Sequence, residues 1–184
     1  MSQFKLYNVE EAPAQARPLM EEAQKQMGMV PNLYAVMAES PNVLKAYKQL
    51  TECFTQSSLN ADEITVVWQS VNVENACHYC VPAHTAIASQ MGVSEEITQA
   101  LRDETPLPDA KLEALRRFTL AMVRDRGNPG QSELKAFFDA GYGPQQALDV
   151  VLGISMKTLS NYTNHIAETP LDDAFQSMAW QKKG

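Results

Sequence analysis

The sequence predicts an all-α fold, and three observations carry that expectation. Apolar residues recur at helical spacing in most segments, N-cap and glycine or proline signals bracket those segments, and Asp-Gly or Asn-Gly hairpin turns are absent.

The elements can be justified in order. Residues 13–27 carry a helical pattern that Gly28 can stop. Pro31 suits a helix's first turn, where its missing N–H does no harm, and opens the apolar run Leu33 to Met37. Ser40-Pro41 repeats that start signal for a helix through about Ser57. Asn60 followed by Glu63 is a capping-box pair before the run Ile64 to Val73. That run is rich in β-branched residues, but its capped context favours helix over strand. A further helix follows Cys80 and stops at Gly92. Ser94 caps the next, and Pro106 and Pro108 mark a loop. Asp109 caps a long helix with Leu112, Leu115, Phe118, Met122 and Val123 at helical spacing, ended by Gly127. Ser132 caps a short helix ending at Gly141, and 144–167 forms a long one whose faces include Leu148, Val151, Leu152, Met156 and Leu159. With no long linker, low-complexity tract or repeat, residues 1–184 read as a single domain.

Composition narrows the function classes. A net charge of −7 argues against a nucleic-acid partner, which needs a basic face to displace counterions from phosphate. No stretch approaches the roughly 20 apolar residues that span a bilayer, so no membrane role is expected. The first residues, MSQFKLYNVEEAPAQ, lack the apolar core of a secretory signal, and cytoplasmic residence is the expectation. In a reducing compartment a close cysteine pair points to catalysis or metal binding rather than a permanent disulfide.

Such a pair lies in Glu74-Asn75-Ala76-Cys77-His78-Tyr79-Cys80-Val81-Pro82-Ala83-His84. On a helix, Cys77, Cys80 and His84 fall within an arc of about 60°. A thiol with an ordinary pKa of about 8.5 is mostly protonated at neutral pH, and only the thiolate attacks. An imidazole can take the proton, the positive end of a helix can hold the anion, and a carboxylate can orient the imidazole. Glu74, three residues before Cys77, is a candidate for that carboxylate. One sulfur then attacks and the other closes a disulfide, which a reductant must reopen. Pro82 fits a helix only near its start, which favours a helix beginning at Tyr79 or Cys80 with the cysteines at its positive end. Val81 follows the second cysteine where a c-type haem site requires histidine. Zinc is an alternative for Cys77, Cys80 and His84, with His78, His165, Cys53 or Glu74 as a fourth ligand. The plain structural alternative is two small core residues and a satisfied histidine.

Residues 74–84 resemble the CxxC-x3-H signature of the carboxymuconolactone decarboxylase superfamily, in its alkylhydroperoxidase AhpD-like branch. The resemblance extends to Val30-Pro31-Asn32-Leu33-Tyr34, Ser40-Pro41, Asn161-Tyr162-Thr163-Asn164-His165 and Thr169-Pro170-Leu171-Asp172, covering about residues 20–175. It implies an all-helical AhpD-like fold assembling as a homo-oligomer, commonly a trimer or hexamer. It also implies a thiol-dependent peroxidase or disulfide reductase without metal or other cofactor, acting on a hydroperoxide or disulfide and recharged by a dithiol reductant protein. By that motif Cys80 attacks, Cys77 resolves, and His84 joins a glutamate in a proton relay. The relay glutamate of many AhpD-like proteins stands twelve residues before the first cysteine, and here that residue is Thr65. Glu74 is therefore the expected relay carboxylate, with Glu63 second. The superfamily's decarboxylases lack the pair, so a lactone-processing decarboxylase is a third reading, beside a zinc-stabilised or redox-sensing oligomer without turnover.

The remaining candidates have structural readings. Trp68 is expected in the core, Tyr79 in packing, His78 off the Cys77–His84 face, and Cys53 as a buried thiol. His165 lies where a cation suits a helix C-terminus.

Overall fold

A computed structural model describes residues 3–182. Among them are nine α-helices and no strand. They are α1 (Arg17–Met27), α2 (Asn32–Met37), α3 (Pro41–Thr55), α4 (Ala61–Glu74), α5 (Cys80–Gln90), α6 (Glu95–Arg102), α7 (Ala110–Arg124), α8 (Gln131–Asp139) and α9 (Pro144–Ala167). A 3-10 turn, Asp173–Met178, follows.

The architecture is built around α4. Residues Glu63 to Val73 of this helix are all buried, polar and apolar alike, as expected of a central helix enclosed by neighbours. α5, α6, α7 and α9 all pack against it. The capping box forms as expected: the Asn60 side chain accepts from the Glu63 amide at 3.0 Å, and the Glu63 carboxylate accepts from the Asn60 amide at 2.9 Å. Such a cap contributes about 1 kcal/mol and fixes where α4 begins.

α9 crosses close to both α3 and α4. Gly153 makes that approach possible, because a Cβ there would lie 2.7 Å from the Phe54 ring and 2.8 Å from Val67. The two outlying motifs meet at Tyr79. Its hydroxyl donates to the Asp172 carboxylate at 2.5 Å and accepts from the Leu33 amide at 3.2 Å. Asp172 also accepts from the Asn32 amide at 3.0 Å, so the start of α2 and the chain after α9 are both fastened to the residue preceding Cys80.

Of the apolar residues on the faces of α9, Met156 is buried while Leu148 and Val151 are exposed. Three expectations are corrected. Ser132 lies inside α8, whose N-cap is Gly130, and the Ser40 side chain makes no capping bond. Cys53 is exposed rather than buried. Among the described residues, no helix is long and apolar enough to cross a membrane.

Candidate functional site

The site begins at the end of α4. Ala76 adopts a left-handed backbone, φ 51°, which turns the chain back and lets the Cys77 amide donate to the Asn72 carbonyl at 2.9 Å. A β-carbon in that conformation costs about 1 kcal/mol, so the turn is held by its surroundings. Cys80 becomes the first residue of α5, and Pro82 falls in the first turn, where its missing N–H is harmless. The Cys80 amide donates to Cys77 Sγ at 3.3 Å. Both thiols are free and buried.

α9 supplies the opposite wall. Lys157, Ser160, Asn161 and Asn164 recur at i, i+3, i+4 and i+7, and all four are fully buried. The Asn164 amide donates to Cys80 Sγ at 3.2 Å and lies 3.9 Å from Cys77 Sγ. Ser160 Oγ is 3.8 Å from Cys80 Sγ. Lys157 Nζ lies 2.7 Å from His84 Nε2, and it interacts electrostatically with the Cys80 and Cys77 sulfurs. Tyr47 of α3 faces Ser160 and the same thiol.

A chain of amides fixes these helices to one another. Asn75 donates to Asn161 at 2.9 Å, Asn161 to Asn72 at 3.0 Å, Asn72 to Gln69 at 3.0 Å, and Gln69 to the Val81 carbonyl at 3.1 Å. Buried polar chains of this kind are stable only when their members are paired, and they specify one arrangement of α4, α5 and α9.

The two sulfurs have opposite acidities. Burial opposes the Cys80 anion. The hydrogen bond from Cys77, the Lys157 charge and the contacts with Ser160 and Asn161 outweigh it, holding Cys80 well below the usual thiol range. Cys77 is pushed up by its hydrogen bond to Cys80, by burial and by the Cys80 charge. His84 is held neutral by burial and by the Lys157 ammonium. An ammonium donating to Nε2 leaves the ring proton on Nδ1, which is buried without a partner. The ring also sits edge-on to Trp68, 4.6 Å between centroids.

Cys77, Cys80 and His84 are thus gathered at one site, with Lys157 at the imidazole. Glu74 turns its carboxylate to Arg124, accepting two hydrogen bonds at 2.9 and 2.8 Å. Glu63 is held by Asn60 and Lys111. Lys157 of α9, rather than either carboxylate, is what meets His84; burial lowers the Lys157 pKa from the usual lysine value, and the Cys80 and Cys77 sulfurs oppose that shift. Thr65 is buried with an unpartnered hydroxyl. His78 is exposed, its ring 3.3 Å from the Thr169 carbonyl. Among the described residues, no group of three or more His, Cys, Asp or Glu side chains is arranged to hold a metal ion. Sequence analysis points to neither Lys157 nor Ser160, and Asn161 and Asn164 enter it only within the family resemblance, without a role. Their signal is a polar stripe at helical spacing within a helix otherwise rich in apolar residues.

No protein-family model and no curated protein matches the chain. Solved structures do. An AhpD-core, uncharacterized peroxidase-related protein from Ralstonia eutropha JMP134 superposes with a TM-score of 0.83 at 20% identity, over 95% of this chain and 94% of that one. An uncharacterized peroxidase-related protein from Silicibacter sp. TM1040 gives 0.78 at 19% identity, over 94% of each chain. A cysteine-to-alanine variant of the debrominase Bmp8, in complex with 2,3,4-tribromopyrrole, gives 0.80 at 15% identity, over 96% and 95%. The chain therefore has the AhpD-like all-helical fold, over about 95% of its length.

Proposed function

We propose that the protein is a thiol-dependent oxidoreductase that reduces hydroperoxides through Cys80 and Cys77. The observation that carries this reading is a buried Cys80 at a helix N-terminus, 3.2 Å from the Asn164 amide and facing the Lys157 ammonium. Those donors stabilise a thiolate at neutral pH, which is what nucleophilic attack on oxygen needs. Cys77 remains a thiol beside it and serves as the resolving sulfur. A dithiol reductant then reopens the disulfide by exchange. The fold likeness to proteins described as peroxidase-related supports the same class. In this reading His84 is the neutral partner of Lys157, and Glu74 has no direct part in the chemistry.

Purified protein should consume an organic hydroperoxide when supplied with dithiothreitol. Cys80→Ser should abolish consumption, and Cys77→Ser should leave Cys80 to stall as a sulfenic acid. Unchanged turnover in both variants rules the reading out. The fold likeness to a debrominase gives one alternative electrophile, so bromide release from 2,3,4-tribromopyrrole is a control arm of the same assay.

The exposed apolar side chains of α9, Leu148, Val151, Tyr162 and Ile166, fall on one strip and support self-association through this helix, in keeping with the expected homo-oligomer. Sedimentation velocity on the wild type and a Leu148→Lys/Ile166→Lys variant tests it.

A further inference from the structure

Lys157 is the most unusual side chain in the molecule. It is fully buried, yet among the described residues no ion pair joins it to a carboxylate. The ionisable groups that face it are His84 and Cys80 of α5 and Cys77 of the preceding turn, and Tyr47 of α3 faces the same Cys80 thiol. His84 is neutral and cannot balance an ammonium. The sole anion available to Lys157 is then the Cys80 thiolate, and that anion disappears when Cys80 is oxidised. A buried ammonium without a counter-charge is expelled from its charged form by desolvation.

We propose that Lys157 is the proton carrier of the thiol site, charged when Cys80 is a thiolate and neutral when Cys80 is in a disulfide. This rests on the redox reading of Cys77 and Cys80 above. The steps balance. The Cys80 thiolate attacks the terminal oxygen of a hydroperoxide; an S–O bond forms, the O–O bond breaks, and its electron pair leaves on the alkoxide. That alkoxide takes the Lys157 proton and departs as an alcohol, leaving a sulfenic acid and a neutral amine. The amine then takes the proton of Cys77, whose sulfur attacks Cys80. An S–S bond forms, the S–O bond breaks, and the leaving hydroxide recovers the proton as water. Reduction by a dithiol returns two electrons and two protons, one proton to Cys77 and the other to Lys157.

The carrier makes the redox step proton-balanced in a way a fixed cation does not. Equilibrating wild-type protein with dithiothreitol between about pH 6 and 7.5, where that dithiol is protonated, gives an equilibrium constant independent of pH. Ultraviolet thiolate absorbance over the same range must show Cys80 ionised. Arginine cannot release a proton, so Lys157→Arg keeps the thiolate, and its equilibrium constant rises about tenfold per pH unit. Lys157→Met loses the thiolate absorbance, with no pH dependence. Wild-type protein that shows the thiolate together with a tenfold rise per pH unit overturns the proposal, with no variant needed. A pH-independent wild-type constant with no thiolate also overturns it. Failure of the redox reading is distinct: no disulfide between Cys77 and Cys80 forms on adding hydroperoxide.

Discussion

The two faces of α9 reverse the usual arrangement of a surface helix. Toward the core it presents Lys157, Ser160, Asn161 and Asn164, fully buried, and toward solvent it presents Leu148, Val151, Tyr162 and Ile166. Burying polar groups is unfavourable unless they are paired, so the inward face is retained for what it holds. Around Cys80 the pairing is to sulfur and to a neutral imidazole rather than to carboxylates. The outward face stands exposed among the described residues. One helix thus carries both the chemistry and the exposed apolar surface, and the two can be perturbed separately.

The largest effect is expected on the inward face. Lys157→Met removes the cation while burial remains, so Cys80 returns to an ordinary thiol pKa or above. At pH 7 the thiolate fraction then falls to about 3%, and hydroperoxide consumption should drop at least about 30-fold. Gly153→Ala, on the same inward face, tests the close approach of α9 itself. Its Cβ would lie 2.7 Å from Phe54, and the overpacking should cost about 2 kcal/mol in a urea melt with the slope unchanged. Asn164→Ala deletes one donor to Cys80 and should slow the reaction about tenfold, since a hydrogen bond to a charged group contributes roughly 1.5 kcal/mol.

The pH dependence of stability sharpens the comparison further. His84 has a depressed pKa in the folded protein, from burial first and the Lys157 charge second, whereas in the unfolded chain it protonates near about 6.5. Its contribution is therefore complete above that pH and is lost as pH falls toward the folded value. Cys80, also depressed, acts with the same sign. Unfolding free energies from urea melts should fall on going from about pH 7.5 to 5.5, by up to about 1.4 kcal/mol per pH unit from Cys80 across that range and by up to as much again from His84 below about 6.5, and His84→Gln should remove only the second contribution. The smallest effect lies on the outward face. Leu148→Lys should change monomer stability by less than about 0.5 kcal/mol, while any change in assembly is read by sedimentation.

Much of the fold was legible because caps act locally. Asn60, Ser94 and Asp109 each bond the amide three residues on, and a sequence carries that spacing openly. Pro82 located the start of α5 for the same reason, and with it the gathering of Cys77, Cys80 and His84. What sequence concealed was the orientation of α9. Helical periodicity shows that a stripe exists but not which stripe faces the core, and apolar residues were the natural choice. The decision was made by tertiary contacts: Gly153 against Phe54 and Val67, and Asn161 within the amide chain. Once α9 is turned that way, Lys157 arrives at His84 from 73 positions along the chain, a meeting no local spacing could announce. The proximity of Glu74 to Cys77 in sequence likewise says nothing of Arg124, 50 positions away, which holds its carboxylate.

The central claim is that Cys80 and Cys77 form a redox pair while the exposed Cys53 does not take part. Thiol titration of denatured protein, before and after one equivalent of hydroperoxide, tests it most directly. Two of the three thiols should vanish, and peptide mapping should find Cys77 joined to Cys80 within one chain. Retention of all three thiols, or loss confined to Cys53, would contradict it.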